Sequence, residues 1–376
     1  MFAARDFFFT RPSGAAPINN FGGLWTWGNN TYGQLGIGNT ASKYSPVVVG
    51  SLTTWTKVVS GNQFSLAIKT DGTLWSWGKN GSGQLGLGNT TNRSSPVQIG
   101  ALNTWATISV TNYAVFGIKT DGTLWSWGSN TYGLLGLGTT TPNRSSPVQV
   151  GALTNWAKLA NPSTAFLTGA IKTDGTLWTW GRNDFGQLGL GNITNYYSPK
   201  QVGSLTNWAS VAPMGISCLA TKTDGTLWSW GNGGQARLGL GNTTDYSSPK
   251  QVGSLTNWAS VAGGNYSGNA IKTNGTLWAW GANYSGNFGN GTYTSANSPV
   301  QIGSLTKWAT VASTSYPTPV IASQTDNTLW SWGNNTYGQL GLGNQTTYTS
   351  PKKIGTLKKW ASVSLVKRNA IAVLAQ

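Results

Sequence analysis

Polar and apolar positions alternate in short runs along this chain. In one stretch Ala67-Ile68-Lys69-Thr70 and Thr73-Leu74-Trp75-Ser76-Trp77 flank Asp71-Gly72. That dipeptide between two alternating runs predicts a hairpin, and its taste for positive φ suits a type I′ turn. Two more short strands are predicted, Pro96 to Ile99 and Trp105 to Val110, separated by Gly- and Asn-rich turns, and nothing repeats with the helical period. Trp75 and Trp77 leave one face of their strand, Leu74 and Ser76 the other.

The unit recurs. Leu-Trp-x-Trp-Gly has its first Trp at Trp25, Trp75, Trp125, Trp178, Trp228, Trp278 and Trp330, at spacings of 50, 50, 53, 50, 50 and 52. A third Trp follows 30 or 31 residues later, at Trp55, Trp105, Trp156, Trp208, Trp258, Trp308 and Trp360, so all 21 Trp take repeat positions. Ser198 to Ala212 and Ser248 to Ala262 are the same fifteen residues. Four antiparallel strands in each of seven units predict an all-β, seven-bladed β-propeller over residues 21–376, with residues 1–20 a separate arm. The chain opens on the second strand of the hairpin, Gly23 to Trp27, and closes on the first, Asn369 to Leu374. These ends are expected to pair, because an open ring would leave two apolar blade faces and a free sheet edge.

Composition narrows the chemistry. The 376 residues include no His and no Glu, 8 acids that are all Asp, and one cysteine, Cys218. Imidazole triads, a catalytic Glu, disulfides and cysteine metal clusters all lack their side chains, so the expectation is no catalytic residue, no metal and no cofactor. Five acids, Asp71, Asp121, Asp174, Asp224 and Asp326, sit in the hairpin turn as turn formers, and Cys218 reads as a buried apolar thiol. Gln84-Leu85-Gly86-Leu87-Gly88 contains Gly-x-Gly after a strand, but no helix follows and the run recurs, so it reads as a structural turn rather than a phosphate-binding loop. No run approaches the roughly 20 apolar residues of a membrane span, and Asp6 and Arg11 interrupt any signal-peptide core, so neither membrane insertion nor export is expected.

The run Gly72-Thr73-Leu74-Trp75-Ser76-Trp77-Gly78-Lys79-Asn80-Gly81-Ser82-Gly83-Gln84-Leu85-Gly86-Leu87-Gly88 resembles the signature of the regulator of chromosome condensation repeat. The resemblance covers residues 21–376 and implies a seven-bladed propeller. The founding member of that family promotes nucleotide exchange on a small GTPase and contacts chromatin. Exchange there relies on acidic and His side chains of one face. Phe64, Tyr113 and Tyr266 stand here about where the family places His, so the resemblance does not carry exchange activity to this chain.

Partner chemistry is read from three places. The connections from the third-Trp strand to the next hairpin vary most between repeats and must gather on one rim, making Phe64, Tyr113, Phe166, Tyr266 and Tyr316 candidate rim-binding aromatics for a sugar or a protein. Residues 1–20 hold Phe2, Arg5, Phe7, Phe8, Phe9 and Arg11, read as an anchor on another subunit, with a strap over the protein's own propeller as the alternative. Lys352, Lys353, Lys358, Lys359, Lys367 and Arg368 form a basic cluster without an acid after Asp326, suited to an acidic protein or anionic surface. The net charge of +16 invites nucleic acid. The recurring Lys69, Lys119, Lys172, Lys222 and Lys272 instead read as solvated edge lysines, so nucleic acid is not expected as a partner.

A surface rich in Asn, Thr, Ser and Gly without an export signal suggests release by lysis. The resulting functional expectation is a non-enzymatic virion component, similar in style to structural propellers of tailed bacteriophages, that decorates the particle or contacts a host surface among other protein subunits. The alternatives are a carbohydrate-binding propeller on a cell surface and a cytoplasmic interaction scaffold.

Overall fold

A computed structural model describes residues 22–161, 166–314, 319–356, 360–366 and 368–374. The arm with Phe2, Arg5, Phe7, Phe8, Phe9 and Arg11 lies outside the described residues, as do Tyr316, Lys358, Lys359 and Lys367. Each repeat folds as a four-stranded antiparallel meander, and seven such sheets form the ring. The first blade consists of Trp55–Gly61, Phe64–Lys69, Leu74–Gly78 and Arg93–Gln98, in that order from the axis outward. Trp55–Gly61 touches its counterparts Trp105–Val110 and Trp360–Val366 in the flanking blades, so these strands line a central channel. A cavity of about 340 Å³ in it is lined by side chains such as Val58, Ile108, Ala212 and Val311.

The two chain ends complete the seventh blade. Leu24 faces Val373 and Gly28 faces Asn369 in antiparallel register, while Trp360–Val366 and Lys43–Val48 flank that pair. The Gly22 amide donates to the Leu374 carbonyl at 3.0 Å, continuing the ladder past the strand.

Blades are held together by the two faces of the Leu-Trp-x-Trp-Gly strand. Trp75 and Trp77 pack toward the preceding blade, in a cluster with Leu24, Ile371 and Val373. Leu74 packs toward the following one, against Trp105 and Trp127. Within a blade, Trp105 meets Trp125 and Trp127 edge to face, with ring centroids 6.4 and 5.6 Å apart. The second Trp of each pair is fully buried, and its indole N–H donates to a backbone carbonyl in the long loop of the preceding blade. Trp77 reaches Gln34 at 2.9 Å, Trp127 reaches Gln84 at 3.1 Å, and Trp27 closes the circle on Gln339 at 2.9 Å. Gly86 must be glycine for this contact. Its φ is +70°, and a Cβ there would lie 2.8 Å from the Trp127 indole nitrogen. The Gly-x-Gly run is thus a seat for an indole, as a structural turn requires.

The hairpin differs from the sequence expectation. Gly72 has φ +78°, but Asp71 is not among the positive-φ residues, and the Gly72 amide donates to Lys69 O at 3.0 Å while the Lys69 amide donates to Thr73 O. The loop therefore has three residues, Thr70-Asp71-Gly72, ending in a left-handed glycine, in place of a two-residue type I′ turn. The reason is the aspartate itself. Its Oδ1 accepts from the Thr73 amide at 2.9 Å and from the Thr73 hydroxyl at 2.6 Å, which holds Asp71 back from the left-handed region. The Trp75 indole in turn donates to the Thr73 hydroxyl, so the string Asp-Gly-Thr-Leu-Trp is one hydrogen-bonded relay.

The outer strand carries a proline (Pro46, Pro96, Pro147, Pro199, Pro249, Pro299 or Pro351) in every blade. A proline without an amide on the exposed strand keeps that edge from pairing with another sheet.

Candidate interaction rim

A meander puts two kinds of connection on each face of the ring. One face, the hairpin face, carries the three-residue hairpins and the connectors between blades. The other, the rim face, carries the turns after the inner strands, such as Asn62-Gln63, and the long loops between third and outer strands. On the rim face the long loop of one blade meets the start of the second strand of the next: the Ser65 hydroxyl donates to Gln34 O at 2.9 Å.

Of the sequence-selected aromatics, Tyr113, Phe166 and Tyr266 stand half-buried on this rim. Phe64 does not. It is 0% exposed and packs in the core with Leu66 and Leu85, because the residue after the turn already begins the second strand and points between blades.

The structure brings cations to these rings. Lys79 Nζ lies 4.9 Å from the Tyr32 ring centroid and 5.7 Å from that of Tyr113, and it donates to Gln63 Oε1 at 3.3 Å. Tyr113 is fixed by the Asn62 side chain, whose Nδ2 donates to the Tyr113 hydroxyl at 2.9 Å. Arg182 lies 5.1 Å from the Tyr132 ring, which meets Phe166 edge to face at 5.5 Å. The Arg182 guanidinium also pairs with Asp184 at 2.6 Å. Arg237 lies 4.8 Å from the Tyr266 ring and donates to Gly234 O and Asn265 O at 2.7 and 3.1 Å. Burial lowers the Arg237 pKa, with Tyr266, Asp245 and Tyr284 pulling the other way, and the guanidinium stays charged. Nearby, the Tyr284 hydroxyl donates to Gln235 Oε1. Arg368 lies 4.7 Å from the Tyr337 ring.

Backbone strain gathers on the same face. Among the described residues, four of the five non-glycine residues with positive φ, Gln63, Tyr132, Gln235 and Ala236, lie in these turns and loops.

The basic cluster read from the sequence is split among its described members. Lys352 and Lys353 lie on an outer strand, Lys353 opposite Trp330 toward the hairpin face, and Lys352 Nζ rests 5.4 Å from the Tyr348 ring. Arg368 is on the rim face of the next blade. The recurring lysines are also placed differently from the expectation of solvated edges. Lys119, Lys172, Lys222 and Lys272 are buried, and with Lys69 their ammonium groups sit 3.6 to 3.7 Å from the centroids of Trp125, Trp178, Trp228, Trp278 and Trp75. Burial lowers the Lys119 pKa, and Asp121 offsets part of that. These five of the 24 cations thus belong to the fold, as does the buried Arg237. Cys218 is fully buried, and desolvation pushes its thiol pKa up, away from reactivity.

Tyr32, Lys79, Tyr132, Arg182, Arg237 and Tyr337 were not singled out from the sequence, since each cluster draws on different repeat positions. One signal was available: Lys79 and Arg182 follow the Trp-Gly pair where the other five repeats hold Asn, Ser or Ala.

The model of the regulator of chromosome condensation (RCC1) repeat matches seven segments, 22–68, 71–116, 121–160, 174–213, 224–271, 274–318 and 326–367. The chain belongs to the RCC1 repeat family. No curated protein matches it. Among solved structures, human WBSCR16 aligns with a TM-score of 0.82 at 18% identity, covering 94% of this chain and 99% of that one. Prp20p of Saccharomyces cerevisiae, studied for its binding to Gsp1p and histones, aligns at 0.81 and 20% identity over 94% of this chain and 91% of its own. Yeast RCC1 (Prp20) bound to Kap60 aligns at 0.83 and 17% over 100% and 97%. At these identities the likeness shows the RCC1-type fold. It also corrects the virion placement: these are proteins of human and yeast, and nothing in the matches points to a phage particle.

Proposed function

We propose that this RCC1-repeat protein is an interaction propeller whose rim face binds an acidic segment of a protein partner. The observation that carries the reading is the placement of half-buried cation–aromatic clusters at three blade junctions of one face, around Lys79, Arg182 and Arg368; Arg237 is buried and braces its own loop against the next blade. Tyr and Arg are the side chains that concentrate binding energy at protein interfaces. Here their partners within the fold hold them in position, which lowers the entropy lost on binding. Related propellers are recorded with protein partners, Gsp1p, histones and Kap60. A sugar site is less well served, because the rings of Tyr132 and Tyr266 already carry guanidinium groups.

The same reading assigns no turnover. Asp184 is committed to Arg182, and Asp245 accepts from Asn232 and the Gly233 amide, so neither stands ready as a base.

The test is fluorescence anisotropy with a labelled acidic peptide of Glu and Tyr. Lys79→Ala combined with Arg182→Ala and Arg368→Ala should weaken binding at least about tenfold, the scale of one or two hot-spot residues. Lys250→Ala with Lys352→Ala, on the outer strands, should leave it unchanged. Equal losses in both variants, or no binding by the unaltered protein, would reject the rim.

A further inference from the structure

Lys119 is only 7% exposed, and its ammonium sits 3.6 Å from the Trp125 ring centroid and 5.2 Å from that of Trp105. The indoles place the charge, but they offer no acceptor to its three N–H donors. No hydrogen bond or ion pair to a described residue reaches Lys119 Nζ. Asp121, two residues on, commits Oδ1 to Thr123, and the one ion pair among the described residues, Arg182 with Asp184, lies elsewhere. A buried ammonium without an acceptor destabilises the fold.

Packing does not demand that charge. Lys119 stands opposite Trp105 in the antiparallel register, and the same place opposite Trp360 holds Leu374, which is equally buried. Opposite Trp308 it holds Gln324. The repeat therefore closes its blades with an apolar or a neutral residue at this position, whereas Lys119 leaves a cation with its donors unanswered.

Those donors open on a groove of about 390 Å³ between two blades, which Lys119 lines together with Leu87, Ile99 and Leu102 of one blade and Trp125 and Pro147 of the next. Its volume is at the low end for small-molecule sites, and its walls are apolar around a single polar anchor, the usual make-up of such sites. We infer that this groove binds a small carboxylate with an apolar body, the carboxylate on Lys119 Nζ and the body against Leu87, Ile99 and Pro147. Lys119 is the only charged side chain among the described lining residues, so one negative charge is matched and the second charge of a phosphate ester would stay unpaired. None of the rim residues takes part, and the inference stands or falls apart from the rim.

The test is titration with 3-phenylpropionate and with its amide, 3-phenylpropionamide, which keeps the body and loses the charge. Binding is read at this groove from the Trp105 indole N–H cross-peak in a nitrogen-15 NMR spectrum, assigned by its loss in Trp105→Phe; that N–H is buried beside the groove with no partner of its own. The acid should shift the peak saturably and bind at least about tenfold more tightly than the amide, the scale of one hydrogen bond to a charged group. Lys119→Leu and Lys119→Gln copy residues that the fold already accepts at Leu374 and Gln324, and in both the acid and the amide should bind alike. Equal binding of acid and amide by the unaltered protein, a preference for the acid that survives both substitutions, or a Trp105 peak that neither ligand moves would overturn the proposal.

Discussion

The two faces of the ring are built from the same repeats, yet they treat repetition oppositely. On the hairpin face the relay from Asp71 through Thr73 to Trp75 recurs as Asp121, Thr123 and Trp125, as Asp174, Thr176 and Trp178, and as Asp224, Thr226 and Trp228. Even departures keep the function: Asn274 accepts the same bond from Thr276 at 2.7 Å, and Asn327 takes the glycine position with φ +60°. On the rim face no two clusters are alike; Lys79 holds two tyrosines, Arg182 a tyrosine and an aspartate, Arg237 a tyrosine and two carbonyls. The difference teaches where the fold constrains the chain. A hairpin that must present a Trp to its neighbour admits one solution, and so does the stretch of each long loop that seats the next blade's indole, whereas the tips of those loops and the inner turns need only return the chain to the sheet.

The largest effect should come from cutting the element shared by both faces. Removing residues 369–376 deletes the strand between Leu24–Gly28 and Trp360–Val366. Loss of a cooperative melt, with aggregation, is expected; an intact melt would mean that the ring does not depend on closure.

Trp127→Ala comes next. It empties a fully buried site and removes the bond to Gln84 O, at a cost of about 3 to 5 kcal/mol measured by denaturant unfolding. The rim should tolerate the same kind of truncation: Tyr132→Ala, at a half-buried loop tip, should stay within about 1 kcal/mol. Similar losses at both would erase the contrast between the blade seam that seats an indole and the free loop tip.

A smaller effect is tied to pH. Hydrogen bonds from Thr73, Thr123, Thr176 and Thr226 hold the carboxyls of Asp71, Asp121, Asp174 and Asp224 below the ordinary value of 3.8. A carboxyl with a depressed folded pKa stabilises the fold above its unfolded value, and that contribution fades as pH falls through the folded value. The protein should therefore lose stability below pH 3.8, and changing all four to Asn should flatten that acid limb, because Asn274 already makes the bond without titrating. An unchanged acid limb would show that the relay is not what titrates.

The smallest effect concerns chemistry. With no His or Glu and with Asp184 and Asp245 engaged, nucleotide exchange on small GTPases should remain at background. Saturable exchange lost on Asp184→Ala or Asp245→Ala would make the rim catalytic and end its reading as a binding surface alone.

Seven blades, four strands each, the pairing of the two ends and the strand Asn369–Leu374 were all legible in the sequence, because a repeat displays the same local pattern seven times and a meander involves only neighbours. Tyr113, Phe166 and Tyr266 were legible as rim residues for the same reason. Phe64 was misplaced by one step of a strand, since side chains alternate faces and a single position separates rim from core. What the tertiary structure alone decided is which side chains of different blades meet. Lys119 disappears beneath Trp125 because hairpin and inner strand converge there, and Arg182 finds Tyr132 because a long loop of one blade leans over the next. Charge and aromatic content are properties of the chain, but their pairing depends on distances across blade junctions, and those exist only once the ring has closed.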